Sequence, residues 1–433
     1  MARTDTHSIR LLFLYGFGNA GTYMLTRTVA DSIFLSQFGT DRLPELYLLS
    51  AGVVTLTSMF YGGLVARIGL RLSIVSTLVS FAVISAALPA LLRNGGDSLI
   101  VLTCAYLLAQ IRGSLGTIQF ATVLNEQLGN QQHEKVIGIV GAGATLAGLT
   151  AGGVIAMAPA EFPIEHFLTI AALLDLATLV PLLALRSTLR ARRDIATGHN
   201  YYSRGAQRPT WRAIFSDSYL VLITCAVALC IVATTLVEFQ WKVSAAERYG
   251  TDTQAMARYF GLFYGVIYLL TGSIQLFGTS RILRRFGIAS GLVTLPAAIL
   301  VGASLSVVAA SPFFLFVALT LSKGTDLWRR SLFDPAIQLV YWPLEKTARR
   351  QAITFVAGMA KPFSEALAAS AVVLFTLYFA PQRLSVVVIL VTLVWVVVCV
   401  RLASRFKRAN ANAQKGEQSR LNEPLELRDP GHF

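Results

Sequence analysis

Long apolar runs recur along the whole chain, and they constrain the fold more strongly than any other feature. Each holds roughly 20 or more residues, the length that an α-helix needs to cross the hydrocarbon core of a bilayer. Because backbone groups in hydrocarbon must be paired within the segment, each run is predicted to be a helix. The twelve runs are 9–35, 44–66, 72–92, 98–124, 136–157, 166–188, 213–245, 256–279, 286–309, 312–333, 349–379 and 383–406.

The composition agrees with this pattern. Charged residues make up 14% of the chain and hydrophobic residues 55%, whereas a soluble domain has about 25% charged residues. We therefore predict an all-α polytopic membrane protein with twelve transmembrane helices. The composition excludes an ordinary soluble domain.

The basic residues that give the chain its net charge of +14 are distributed unevenly between the predicted loops. If both termini are cytoplasmic, the inner loops and tails hold 25 of the 37 Lys and Arg residues, and the outer loops hold 5. An excess of basic residues in the cytoplasmic loops is the usual signal that orients a membrane protein. The basic charge therefore predicts cytoplasmic termini and contact with membrane lipid, rather than a nucleic-acid partner. No feature predicts an obligate protein partner.

The longest polar interruption divides the predicted helices six and six. We predict a six-helix bundle over 1–188, a basic cytoplasmic linker over 189–212 and a second six-helix bundle over 213–406. The polar residues 407–433 are predicted to form a disordered cytoplasmic tail. Two pseudo-symmetric bundles are the plan of many secondary transporters, including the major facilitator superfamily.

Matching positions in the two halves support an internal repeat. "SQFGTD" ends the first helical region at Gly39, and "ERYGTD" ends the seventh at Gly250. Charged residues lie at the same distances before these two glycines, but with their signs exchanged. The equivalent pairs are Arg27 with Glu238 and Asp31 with Lys242.

Several charged residues lie inside the predicted spans. Each costs roughly 2.5–3.5 kcal/mol at the bilayer centre, so together they must face a wet cavity or one another. The bases are Arg27, Arg112, Lys242, Lys323, Arg329, Arg330 and Lys361, and the acids at similar depth are Asp31, Asp175, Glu238, Asp326 and Glu365.

Two interpretations of these charges stay open at this point. Residues four apart on a helix share a face and can neutralise each other locally, which would make the pairs structural. Their concentration on helices 1, 4, 7, 10 and 11 favours an aqueous path for a solute, because such helices line the central cavity in facilitator folds. The local pairs are Arg27 with Asp31, Glu238 with Lys242, and Lys361 with Glu365.

Two short motifs resemble the nucleotide transporter family, the ATP/ADP translocases of intracellular bacteria and plastids. "VEFQWK" (237–242) is similar to the family's Val-Glu-x-x-Trp-Lys element, and "GMAKPFSEAL" (358–367) to the segment around its late lysine. The resemblance implies that transport depends on Glu238 and Lys361. The chain departs from the family at "QIRGS", which gives Gln110 and Arg112, and at Ala30, where the family has a lysine before the aspartate.

We therefore predict a secondary transporter in a bacterial inner membrane that moves an anionic, nucleotide-like or phosphorylated solute by alternating access. It is not expected to be an enzyme or to use a metal or cofactor. Asp31, Asp175, Asp326 and Glu365 are the predicted gate or coupling residues. The predicted solute-binding residues are Arg27, Gln110, Arg112, Glu238, Trp241, Lys242, Lys323 and Lys361.

The charge exchange between the halves predicts two pairs across the bundles, Arg27 with Glu238 and Asp31 with Lys242. These pairs should form in one state and break in another, and exchanging Arg27 with Glu238 should partly rescue the single variants. The alternatives are a facilitator for an organic cation, an amphiphile or a metal complex, and a membrane scaffold or sensor that does not transport.

Overall fold

A computed structural model describes residues 3–421, except residues 41, 95–98, 128–132, 160, 186–216, 345–348, 350–351 and 354. All of its regular elements over these described residues are helical, which confirms the predicted all-α fold. The predicted linker 189–212 lies outside the described residues. Six helices precede it: α1 (Arg3–Phe38), α2 (Leu43–Ile68), α3 (Leu70–Asn94), α4 (Leu99–Gln127), α5 (His133–Ala156) and α6 (His166–Ala184).

The helices after the predicted linker form the second half of the chain. The first three are α7 (Ser218–Tyr249), α8 (Thr253–Phe277) and α9 (Thr279–Val308). The last four are α10 (Pro312–Gly324), α11 (Asp334–Val340), α12 (Lys361–Tyr378) and α13 (Leu384–Leu421). α10 lies within the predicted run 312–333, and α11 directly follows that run. The other eleven helices each overlap one of the remaining eleven predicted runs. Eight helices in the described part of the chain are long and apolar enough, by length and composition, to cross a membrane.

In the described part of the chain, two of the spans are interrupted by π-helical segments. One, Arg329–Phe333, lies between α10 and α11, and the other, Val356–Ala360, precedes α12. Each is followed by a proline at the start of the next helix, Pro335 in α11 and Pro362 in α12. A proline lacks an N–H and crowds the carbonyl four residues earlier, so the preceding turn widens. Such π-bulges are frequent at functional sites.

The C-terminal prediction needs a correction. α13 continues to Leu421, so residues 407–421 are helical where a disordered tail is predicted. The segment "KRANANAQKGEQSRL" is rich in Ala, Lys, Arg and Gln, which are good helix formers. Because it extends an existing helix, it needs no new nucleation step. Residues 422–433 lie outside the described residues.

The helices define two ends of the molecule. α1 and α7 run in parallel, since Arg27 meets Glu238 and, one turn further along, Asp31 meets Lys242. We call the end where α1 and α7 begin the terminal end, and the end where they finish the opposite end. α13 also finishes at the terminal end, where Arg405 donates a hydrogen bond to Ser218 at the start of α7.

Four glycines with positive φ occur among the described residues, and they recur at similar places in the two halves. Gly39 (φ 62°) ends α1 and Gly250 (φ 55°) ends α7. Gly69 (φ 82°) lies directly before α3, while Gly287 (φ 74°) breaks α9 in its early turns. Glycine has no Cβ and adopts these conformations without strain. The shared backbone breaks agree with the internal repeat.

The two halves touch most closely where α5 crosses α8. A Cβ placed on Gly152 would lie 2.6 Å from the carbonyl oxygen of Gly261 and 2.6 Å from the amide nitrogen of Gly265. Small residues let membrane helices approach at backbone distance. Because Gly152 belongs to the first half and Gly261 and Gly265 to the second, this contact holds the two halves in their present arrangement.

We expect Gly152→Ala to destabilise the protein by about 1–3 kcal/mol, because backbone atoms have little room to move away from the added methyl group. Gly153→Ala is the matched control, since a Cβ there meets nothing within 4 Å. The control should keep or raise the melting temperature, as alanine favours helix over glycine by about 1 kcal/mol. Thermal unfolding of the purified variants measures both. Equal melting temperatures would contradict the proposed close contact.

Candidate functional site

A group of charged side chains joins the two halves. It is formed by α1, α7, the end of α10 and the turn that follows α10, and it contains three bases and three acids, so its formal charge is zero. We call it the central ion-pair cluster; its members are Arg27, Asp31, Glu238, Lys242, Lys323 and Asp326.

Glu238 is the hub of the cluster. Its carboxylate accepts a hydrogen bond from the guanidinium of Arg27 across the two halves. It also lies 3.2 Å from the ammonium of Lys242 and 3.1 Å from that of Lys323. Lys323 in turn lies 2.6 Å from a carboxylate oxygen of Asp326. One carboxylate therefore contacts bases from three helices.

Asp31 forms the second bridge between the halves. The ammonium of Lys242 lies 2.8 Å from its carboxylate, and Nε of Arg27 lies 3.7 Å away. The Lys242 side chain is fully buried, and its ammonium also approaches the Tyr106 hydroxyl at 3.3 Å. Both predicted pairs across the bundles, Arg27 with Glu238 and Asp31 with Lys242, are thus present in this state.

These two bridges join equivalent residues of the internal repeat. The partners in each are separated by 211 positions, which is also the separation of Gly39 and Gly250. In a pseudo-twofold arrangement, a residue touches its own equivalent only near the symmetry axis. Two like charges there would repel, so the exchanged signs of Arg27 and Glu238 are what lets the halves meet.

The cluster has an accessible side and a buried side. The side chains of Arg27, Glu238 and Asp326 are 12%, 19% and 15% exposed, while those of Asp31 and Lys242 are 2% and 0% exposed. Asp31 and Lys242 lie one turn nearer to the opposite end. Solvent therefore reaches the cluster from the terminal end and stops at it.

The burial pattern of α1 agrees with this one-sided access. Between the terminal end and the cluster, half-buried residues recur every three or four positions at Phe13, Phe17, Ala20 and Tyr23. Beyond Arg27, every residue from position 28 to 36 is buried. One face of α1 is thus accessible as far as the cluster and closed after it.

Polar contacts between the halves complete the closure near the opposite end. The hydroxyls of Ser36 and Thr253 lie 2.6 Å apart, one from each half. Gln254 donates a hydrogen bond to the carbonyl of Phe162 at 2.7 Å, and Arg258 donates one to the carbonyl of Ala158 at 2.7 Å. All three contacts would have to break for the opposite end to open.

Arg112 and Asp175, two predicted site residues, form a separate pair inside the first half. Their side chains are 1% and 0% exposed, with the guanidinium 2.6 Å from the carboxylate. Arg112 also donates a hydrogen bond to the side-chain oxygen of Asn19 at 2.6 Å. Asn19 lies eight residues, or about 12 Å along the helix axis, before Arg27. In this state Arg112 is enclosed by its own half and does not border the accessible face.

Trp241, predicted to stack on a solute, is fully buried. Its ring packs against Phe260 and Phe263 at centroid distances of 4.9 and 4.6 Å, and its Nε1 donates a hydrogen bond to the hydroxyl of Tyr259 at 2.6 Å. The ammonium of Lys323 lies 5.9 Å from the same ring. In this state Trp241 is packed behind the cluster, where it supports Lys323.

Lys361 and Glu365 are exposed in the structure. They share one face of α12, about 200° around the helix from the exposed Phe363. Neither forms an ion pair with another described residue, so their predicted local pair is absent in this state. Gln110 of α4 is half-buried.

Arg330 is not among the predicted solute-binding residues, and the structure brings it to an accessible position. Arg330 is exposed, and its guanidinium lies 5.0 Å from the ring centroid of Tyr268 on α8. It follows the cluster member Asp326 by four residues, towards the terminal end. The adjacent Pro335 was the available signal, because it predicts a break in the helix at this point.

Comparison with known proteins identifies the kind of molecule. A protein-family model described as TLC ATP/ADP transporter matches residues 201–406. The match confirms the resemblance inferred from "VEFQWK" and "GMAKPFSEAL", both of which lie within it. It covers Glu238, Lys242 and Lys323, while Arg27 and Asp31 precede it. No curated protein sequence matches the chain.

Solved structures show the fold of the chain. A bacterial homologue of the iron transporter ferroportin, in an inward-facing state, has a TM-score of 0.62 and 16% identity, covering 93% of this chain and 100% of its own. The nucleoside transporter NupG has a TM-score of 0.65 and 13% identity, covering 93% of this chain and 99% of its own. The fold is therefore that of major facilitator transporters. The chain is a multi-pass membrane transporter and not an enzyme.

Proposed function

We propose that the chain is a secondary transporter for an anionic, nucleotide-like or phosphorylated solute, working by alternating access. The observation that carries this proposal is the central ion-pair cluster. It is charge-balanced, joins both halves at equivalent positions and is accessible from one end of the molecule. A solute that separates its pairs would change the contact between the halves at the same time.

The accessible bases provide a route for an anion. Lys361 and Arg330 are exposed and form no ion pair with the described residues. They would attract a phosphate or carboxylate entering from the terminal end. The anion would then compete with Glu238 for Arg27 and Lys323, since guanidinium and ammonium groups bind phosphate as well as carboxylate.

Separation of these pairs is the proposed link between binding and movement. Arg27 and Lys323 would turn to the solute, and Glu238 would no longer hold α1 to α7. The contacts nearer the opposite end could then part while the terminal end closes. Without a bound solute, the ion pairs of the cluster would hold the two halves together and prevent the change of state. A solute would then be needed for each change of state, which gives exchange, or an ion would have to separate the pairs instead, which gives ion coupling.

The solute can be tested with purified protein in liposomes. Labelled nucleotides and other phosphorylated compounds are offered with and without unlabelled solute inside. We expect saturable uptake of at least one of these anions; stimulation by internal solute indicates exchange, and a response to a pH step indicates proton coupling. Uptake of organic cations or Fe²⁺ but of no anion would overturn the proposal.

We expect Lys361→Gln to raise the KM for the transported anion by about 10- to 100-fold, because a charge-assisted contact contributes about 1.5–3 kcal/mol. Glu365→Gln is the matched control on the same helix face, and it should leave KM unchanged or lower it. Initial rates over a range of solute concentrations give both values. An equal rise in KM for both variants would argue against a role for Lys361 in anion binding.

The alternative is a transporter for a metal or an organic cation. The exposed carboxylates Glu365 and Asp334 favour it, as does the similarity in fold to a ferroportin homologue. Against a metal, the described residues contain no group of three or more His, Cys, Asp or Glu side chains placed to hold one. The cation arms of the uptake experiment decide between the two.

We further propose that the terminal end faces the cytoplasm of a bacterial inner membrane. The predicted loops and tails at that end contain 25 of the 37 Lys and Arg residues, as expected of cytoplasmic segments. Access to the cluster would then be from the cytoplasm in this state.

A further inference from the structure

A basic groove lies at the terminal end of the molecule, on the outside of the second half. It runs between the start of α7 and the part of α13 where the apolar run ends. Its volume is about 650 Å³, and residues lining it include Ser218, Leu222, Val400, Arg401, Arg405 and Arg408. None of its described lining residues is acidic.

Three arginines form the wall of the groove that is nearer the terminal end. Arg401, Arg405 and Arg408 are spaced by four and three residues, which places them on one face of α13. All three are exposed. Arg405 is held in place by its hydrogen bond to Ser218. The nearby acid Asp217 is engaged as the cap of α7, where it accepts a hydrogen bond from the amide of Tyr219 at 2.8 Å.

The wall of the groove that is further from the terminal end is apolar. α13 carries no charged residue from Leu384 to Val400, and its basic segment begins at Arg401. Val400 is 50% exposed, and Leu222 faces it from α7 as a lining residue. The groove thus combines a basic wall with an apolar wall, as expected of a site at the boundary between hydrocarbon and headgroups. A free phosphate would use the arginines alone, whereas a lipid would also cover the apolar wall.

We propose that this groove binds an anionic phospholipid. Its headgroup phosphate lies among Arg401, Arg405 and Arg408, and an acyl chain runs along Leu222 and Val400. Basic pockets between transmembrane helices on the cytoplasmic side are suited to such headgroups. This inference concerns a surface away from the central ion-pair cluster and does not depend on the transported solute.

The test is a lipid titration of delipidated protein in neutral detergent, followed by native mass spectrometry. The probe is dioleoylphosphatidylglycerol, and dioleoylphosphatidylcholine has the same chains without net charge. Each arginine near a membrane surface contributes about 1 kcal/mol to binding an anionic lipid, or about fivefold in affinity. We therefore expect phosphatidylglycerol to bind more tightly, and R401A/R405A/R408A to lose about 100-fold in affinity.

The matched control removes three arginines at the same end of the molecule. Arg281, Arg284 and Arg285 are exposed at the start of α9, and R281A/R284A/R285A should keep its affinity within about twofold. If the groove variant does not remain folded, the single variants R401A and R408A should each lose about fivefold.

Three results would overturn the proposal. The control triple variant could lose as much affinity as the groove variant, which would indicate general attraction to basic charge. Phosphatidylcholine could bind as tightly as phosphatidylglycerol. Inorganic phosphate or glycerol 1-phosphate could displace the lipid at an equal concentration, which would assign the groove to a free phosphate compound.

Discussion

Joining cysteines placed at Ser36 and Thr253 will reduce transport by more than tenfold, and a reducing agent will restore it. The two hydroxyls lie 2.6 Å apart, one on each half near the opposite end. A disulfide there would hold the halves together at the point where alternating access requires them to separate. Uptake into liposomes before and after reduction measures the effect, in a background where the four native cysteines are replaced.

The matched control is a disulfide within one half. Ser58 on α2 and Ser114 on α4 have hydroxyls 3.3 Å apart, and both belong to the first half. Cysteines at these two positions should cross-link and leave the transport rate within about twofold, since the halves are predicted to move as units. Full transport by the cross-linked pair at 36 and 253 would show that this end does not open during the cycle.

Glu238→Gln will reduce the rate of transport by about 100-fold. Removing one member of a buried ion pair costs about 3–5 kcal/mol, because a charge is left uncompensated. Here three bases, Arg27, Lys242 and Lys323, would share only the two remaining carboxylates of the cluster, Asp31 and Asp326. Adding Lys323→Gln restores the balance of charge, and we expect the double variant to recover about tenfold over Glu238→Gln alone.

The same contacts revise the exchange experiment predicted from the sequence. An arginine at position 238 would lie between Lys242 and Lys323, and a glutamate at position 27 would lie beside Asp31. Exchanging Arg27 and Glu238 should therefore recover little. Glu45→Gln is the control for charge removal, because Glu45 pairs with Arg42 on the exposed surface at 3.3 Å and such pairs contribute about 0–1 kcal/mol. Equal losses from Glu45→Gln and Glu238→Gln would contradict a special role for the cluster.

The sequence predicts much of the fold and the centre of the site. Hydrophobic length predicts the helices, because hydrocarbon leaves the backbone few other solutions. The spacing before Gly39 and Gly250 correctly matches Arg27 with Glu238, because equivalent residues of a repeat can meet at its axis. Both inferences depend on patterns of residue type and spacing, which are visible in a single sequence.

Other features depend on tertiary contacts that the sequence does not display. Arg112 has the same repeat position as Lys323, yet it turns towards Asp175 and Asn19 within its own half. Trp241 lies one residue before Lys242 but packs into an aromatic group on α8. Helical spacing tells which residues share a face, but not which neighbour that face meets. The π-helical segment that carries Arg330 is a further example. Pro335 predicts a break in the helix at this point, but it does not predict that the break is a π-helical turn.

The most direct test of the proposed mechanism measures distances between spin labels by double electron–electron resonance in liposomes. One pair, at Glu45 and Asp252, reports the opposite end, and another, at Ala121 and Gln338, reports the terminal end. When a transported solute is present on both sides, we predict that a longer distance appears in the first pair and a shorter one in the second. Unchanged distances in both pairs during active transport would contradict a central cluster that opens and closes with each cycle.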